Sequence, residues 1–147
     1  MRTSVSDANT SGSTACMLLV QGHKLITANI GNSRSILVDK YRKFRILTED
    51  HNVMPLTNGA PTSAKHSKQS KSIARCFGEF NAHKSGQASC EPDIKHFNLD
   101  EDDQILILAS DGIWKHMTVH NVAQIAQAHY EMGQAEAAAN AIVRRAT

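Results

Sequence analysis

Three short apolar runs, joined by turns too tight for a crossover, constrain this chain's fold more than any other feature. They are residues 16–20, Lys24–Ile30 and residues 34–38. Gln21-Gly22-His23 joins the first two, and Gly31-Asn32-Ser33 joins the second and third. Connections this short join antiparallel neighbours, because a parallel pair needs a dozen or more residues to cross over. Residues 44–47 are expected to add another strand. Residues 94–98 and 104–109 read as a second pair around the acidic turn Asp100-Glu101-Asp102-Asp103.

The last third changes period. Thr118 is a good N-cap. Val119, Val122, Ile125 and Ala126 then recur at steps of three and four, which gives a helix with one apolar face. Gly133 is placed to end that helix. Residues 134–145 are rich in alanine and favour a second one. Residues 1–13 are small and polar and are expected to be a flexible N-terminal segment. Residues 52–72 hold Pro55, Asn58-Gly59 and Pro61 and are expected to be a surface loop. The length suits one domain over residues 1–147, and strands followed by helices are compatible with an α+β class.

Composition narrows the function classes. Hydrophobic residues make up 41% of the chain, too many for a disordered protein, and aromatics only 5%, so the core rests on Leu, Ile, Val and Ala. A net charge of +2 gives no argument for nucleic acid or an anionic membrane as partner. The one basic cluster, Lys65-His66-Ser67-Lys68-Gln69-Ser70-Lys71, reads as a solvated loop. No apolar run approaches the length of a bilayer span. Cys16, Cys76 and Cys90 are odd in number and too far apart to form a metal pair. That usage fits a reducing compartment, and the expected location is cytoplasmic or nuclear.

Chemistry points to one place. Ile105-Leu106-Ile107-Leu108-Ala109 is an apolar strand that stops at Ser110-Asp111-Gly112 and is followed by Ile113-Trp114. Such a turn holds one carboxylate, Asp111, at the mouth of a sheet, where it can meet a metal or a phosphate-bound cation. Arg34 and Arg75 are candidate anion contacts. His116 and His120 stand four apart, as zinc ligands on a helix do, but Thr118 starts the helix between them. No Gly-x-Ser-x-Gly elbow and no phosphate-cradling glycine loop is found.

Around that carboxylate, six motifs fall in the order of a known family. Ser11-Gly12-Ser13-Thr14-Ala15, Ala28-Asn29-Ile30-Gly31-Asn32-Ser33-Arg34-Ser35, Leu47-Thr48-Glu49-Asp50-His51, Ile73-Ala74-Arg75-Cys76-Phe77-Gly78-Glu79-Phe80, Glu91-Pro92-Asp93-Ile94 and Ser110-Asp111-Gly112-Ile113-Trp114 together resemble the metal-dependent protein phosphatase 2C family. The resemblance implies an α-β-β-α sandwich of two antiparallel sheets flanked by helices. It implies hydrolysis of phosphoserine and phosphothreonine esters by two Mg²⁺ or Mn²⁺ ions sharing a water. It also implies a phosphoprotein substrate.

Position by position, the resemblance makes Asp111 a metal ligand. It makes Asn32 the successor of a hairpin Asp ligand, and Lys115 the successor of an Asp after the Trp. Neither of those two can do a carboxylate's work at a hard cation. The family's Asp-Gly-His-Gly and Gly-x-Asp-Asn motifs are not found within the 147 residues, so the domain is expected to be missing both ends. Residues 52–72 look shorter than the family's helix-bearing lid. The expectations are weak or absent Mg²⁺ or Mn²⁺ binding, impaired catalysis, and self-association through uncovered sheet. The alternative is a non-catalytic module that binds a regulatory protein partner.

Overall fold

The computed structural model describes residue 9, residues 11–52 and residues 73–147. The expected loop at 52–72 therefore lies outside the described residues apart from Asn52, which bridges to Ile73. The strands are β1 (Gly12–Ser13), β2 (Ala15–Gln21), β3 (Lys24–Ile30), β4 (Arg34–Asp39), β5 (Phe44–Ile46), β6 (Phe77–Gly78), β7 (Asp93–Asn98) and β8 (Asp103–Ala109). The helices are α1 (Phe80–Lys84), α2 (Asp111–Trp114), α3 (Val119–Tyr130) and α4 (Ala135–Ala146).

Two three-stranded antiparallel sheets carry the fold, ordered β2-β3-β7 and β5-β4-β8. The tight-turn argument holds for the first turn: β2 pairs β3 in an unbroken register from Ala15↔Ile30 to Gln21↔Lys24. It is corrected for the second: Gly31-Asn32-Ser33 does not close a hairpin, because β3 and β4 lie in different sheets and do not pair. The chain crosses between layers there because β4 takes β8 and β5 as partners, with Leu37 opposite both Leu106 and Arg45.

Alternation decides what each face buries. Leu25 of β3, Leu37 of β4 and Leu47 pack between the sheets, with Leu18, Phe97, Leu99 and Leu106 around them. Ile36 and Val38 point the other way, into a second cluster with Met117, Val122, Ala123 and Ile142. β4 is thus covered on both faces, which is why its run reads as continuously apolar. The helices form the layer over that sheet: Thr118 caps α3 by accepting from the Asn121 N–H at 3.2 Å, and Gly133 follows Tyr130 at φ 63°. The outer face of β2-β3-β7 is different. Met17 (66%), Leu19 (59%) and Ile94 (56%) are exposed there, and among the described residues no helix covers them.

One expectation is corrected at the start of the chain. The segment 1–13 was expected to be a flexible loop, yet Gly12 and Ser13 form β1, paired with Gly78 and Phe77 of β6. The two backbones meet at glycines: a Cβ on Gly78, at φ 72°, would collide with the Ser11 carbonyl. Residues 1–8 and 10 lie outside the described part.

Candidate functional site

The carboxylate of Asp111 sits where β8 ends. Ser110 is the extended residue (φ −73°, ψ 168°) before α2, and Asp111 is the first residue of that short helix. Trp114 pins the turn by donating its Nε1–H to the Ala109 carbonyl at 2.8 Å. The side chain of Asp111 is about one third exposed, at 35%.

Asn32 and Lys115, the two positions where the family resemblance implies lost ligands, both lie against Asp111. Lys115, one helical turn on, sets its Nζ 2.5 Å from Asp111 Oδ2. Asn32, brought from 79 residues away by the β3–β4 connection, donates its Nδ2–H to the same oxygen at 3.1 Å. The Lys115 ammonium is the larger cause, and with the Asn32 amide it holds the Asp111 carboxyl below the usual carboxylate range against an opposing cost of partial burial. One carboxylate oxygen therefore carries a protein-borne cation and a neutral donor.

The turn that delivers Asn32 is anchored from several sides. Its Gly31 N–H donates to His51 Nδ1 at 3.1 Å, and the His51 backbone N–H donates to the Gly31 carbonyl at 3.0 Å. Asn29 donates Nδ2–H to the carbonyls of Gly31 (3.2 Å) and Glu49 (2.9 Å). The Thr14 and Ser33 hydroxyls lie 2.7 Å apart. Gly31 has φ 96°, and a Cβ there would collide with the Thr14 side chain. Burial and the Arg75 charge push the His51 imidazole below its ordinary pKa, so the neutral ring that accepts from Gly31 is the favoured form.

The two candidate anion contacts are occupied by protein. Arg34 donates Nε–H and Nη2–H to the two oxygens of Asp50 at 3.1 and 2.8 Å, and its guanidinium lies 5.6 Å from the centre of the Trp114 ring. That fork ties the β4 start, the 47–51 segment and α2 into one unit. Arg75 donates Nη1–H to the Glu91 carbonyl at 3.1 Å. Sequence reasoning quoted Asp50 and His51 within a motif but assigned them no role. The only signal was their place in that motif, because partners 16 and 20 residues apart follow from the layer crossing and not from spacing.

The metal question is one of donors. Among the described residues, no three His, Cys, Asp or Glu side chains converge as a cation site. Asp111 stands with an amide and an ammonium on its Oδ2, and neither adds an oxygen donor beside the carboxylate. The described residues therefore do not fit a pair of Mg²⁺ or Mn²⁺ ions. His116 and His120 fall on either side of the Thr118 cap, as expected.

The architecture of two antiparallel sheets flanked by helices is shared by solved phosphatases. The chain superposes on a serine-threonine phosphatase 2C from Toxoplasma gondii with a TM-score of 0.72 at 20% identity, covering 96% of this chain and 54% of that one. It superposes on a Mycobacterium tuberculosis serine/threonine phosphatase with a TM-score of 0.67 at 18% identity, covering 97% of this chain and 56% of that one. At such identities the likeness establishes fold.

The family model described as protein phosphatase 2C matches residues 1–56 and 65–147, and the chain belongs to that family. Protein phosphatase 2C homolog 2 of Hypocrea jecorina is 35% identical over 118 residues, which is 71% of this chain and 27% of that protein. Probable protein phosphatase 2C 9 of Arabidopsis thaliana is 33% identical over 134 residues, 83% of this chain and 46% of that protein. The chain thus spans less than half the length of these relatives. The family is metal-dependent, and its class is that of serine/threonine phosphatases.

Proposed function

We propose that this chain is a catalytically impaired phosphatase 2C domain, one that engages a phosphoprotein or a regulatory protein without turning over phosphoester. The observation that carries the reading is the arrangement at Asp111, where Lys115 and Asn32 share one carboxylate oxygen. A hard divalent ion needs several oxygen donors, and an ammonium at 2.5 Å supplies charge without offering any. It neutralises the carboxylate but lowers the pKa of no water. Arg34 and Arg75 are proposed to contact a bound phosphate only by exchanging protein partners for it.

The test is hydrolysis of a phosphoserine peptide with Mn²⁺ or Mg²⁺. The expected result is no turnover above that of Asp111→Ala. Steady turnover that survives repurification and is lost in Asp111→Ala overturns the proposal. A second reading follows from the coverage of 27–46% of those two relatives: in a longer polypeptide, carboxylates from outside this chain would complete the centre. Adding the remainder of a family domain in trans separates the two. Restored Mn²⁺-dependent turnover would favour the second.

A further inference from the structure

Two cysteines from different segments come side by side where the chain before β6 meets the chain before β7. Arg75 pairs with Ser89 in a parallel bridge. Two backbone bonds hold it: the Ser89 N–H donates to the Ala74 carbonyl at 3.2 Å, and the Cys76 N–H donates to the Ser89 carbonyl at 3.0 Å. One residue further along both segments lie Cys76 and Cys90. The residue after Cys90 is tied as well, since Arg75 donates Nη1–H to the Glu91 carbonyl at 3.1 Å. Cys90 is thus held between two residues that are both fastened to the 74–76 segment.

The chain between them folds back on itself. The His83 ring nitrogen Nε2 lies 3.0 Å from the Cys76 carbonyl oxygen, and the Gln87 N–H donates to the Ala82 carbonyl at 2.8 Å. Ala82 of α1 is buried, so the fold-back is packed and not merely bonded. In a parallel pair, neighbours one step beyond a bridge face the same side. Neighbouring strands run about 4.8 Å apart, inside the range of about 4.4–6.8 Å that separates the Cα atoms of a disulfide. Both cysteines are thiols in the structure, Cys76 buried and Cys90 exposed. Cys16 lies elsewhere, on β2 opposite Asn29, and burial pushes its thiol pKa up.

We propose that Cys76 and Cys90 are joined as a disulfide when the protein meets a small-molecule disulfide, with oxidised glutathione as the type. The Cys90 thiol gives its proton to solvent, and its sulfur attacks one sulfur of the reagent. That S–S bond breaks, one glutathione leaves as a thiolate, and the other stays on Cys90. Cys76 then loses its proton and attacks the Cys90 sulfur, and the second glutathione leaves. The two cysteines are oxidised by two electrons, and one glutathione disulfide is reduced to two glutathiones. The new bond closes the chain from Cys76 to Cys90 into a loop that contains β6 and α1, and β6 is the strand that holds β1. The pairing uses no group at Asp111 and only described residues.

The test is a titration of the full chain with mixtures of reduced and oxidised glutathione, read by intact mass and by non-reducing peptide mapping. A loss of about 2 Da per chain is expected, with the peptides of Cys76 and Cys90 joined. The equilibrium constant for that oxidation should be at least about tenfold larger in native buffer than in urea, because the fold supplies the juxtaposition. Cys90→Ser should abolish the loss, and Cys76→Ser should leave Cys90 with a lasting glutathione adduct. Cys16→Ser should leave the joined peptides unchanged. Circular dichroism identifies any variant that fails to fold, and the equilibrium constant of the parent chain stands without it. Three results overturn the proposal: a lasting adduct on Cys90 of the parent chain, a bridge that involves Cys16, or an equilibrium constant in native buffer that falls short of the expected gain over urea.

Discussion

Lys115 balances the charge of Asp111 from the protein's own surface, and this has a measurable consequence. The pair lies on a half-open helical turn, with the lysine side chain 64% exposed, so the ammonium is held by Asp111 and not by packing. Lys115→Ala should therefore leave folding nearly unchanged and free one carboxylate oxygen. Calorimetric titration should then show one Mn²⁺ site, weaker than about millimolar, because a single carboxylate is a poor cage. Two sites tighter than that would contradict the donor argument.

The second residue-scale consequence concerns His51. Its pKa is lowered by burial, then by Arg75, so the unfolded chain takes up a proton at a pH where the folded chain still resists it. Unfolding then binds protons between the folded value and the ordinary histidine value near about 6.5, and stability must fall as pH drops through that window. The denaturant midpoint should decline from pH 7.5 towards pH 5.5. His51→Asn, which keeps an oxygen to accept the Gly31 N–H, should flatten the decline. An unchanged slope would place the dependence elsewhere. Of this residue-scale detail, the family resemblance singled out Asp111, Asn32 and Lys115 one by one, but that Asn32 and Lys115 meet on one oxygen of Asp111 is a fact of the fold. The Arg34–Asp50 fork was not legible either, because a charged pair in a sequence does not announce which face each member will share.

The β3–β4 turn at Gly31 is the element on which the site depends. It carries the chain from one sheet to the other and presents Asn32, 7% exposed, to Asp111. A side chain at position 31 meets two penalties at once, a backbone at φ 96° and the Thr14 side chain. Gly31→Ala should cost more than about 1 kcal/mol in a urea titration and should release Asn32 from Asp111. A neutral effect would mean that the turn relaxes freely.

Strands β2, β3, β4, β5, β7 and β8 and helices α3 and α4 were all visible beforehand, since each carries a clear period and clear stops. The pair β1–β6 and helix α1 were not. Two-residue strands have no period to read. The residue before α1 is Glu79 in a left-handed conformation, φ 48°, with no side-chain cap to mark the start.

At the scale of the molecule, the two faces of the sandwich are treated unequally. Helices α2, α3 and α4 lie against the β5-β4-β8 sheet, while Met17, Leu19 and Ile94 stand more than half exposed on the other. The layered class came from the family resemblance, with the order of strands and helices compatible with it. Which sheet the helices would cover was not legible, because that depends on where the chain crosses between layers.

The bare face makes a prediction of its own. Met17, Leu19 and Ile94 sit on adjacent strands, Met17 opposite Ala28 and Ala28 opposite Ile94, so they form one patch and not scattered residues. Such a patch binds apolar dyes and drives unspecific clumping. Because these side chains are already in water, making them polar removes little burial, and surface changes of this kind shift stability by only about 0.5 kcal/mol either way. Met17→Lys with Leu19→Lys should therefore keep the melting temperature within a few degrees of the parent and cut the fluorescence of an added apolar dye. A large loss of melting temperature would show that this face is packed in solution, and that a layer outside the described residues covers it.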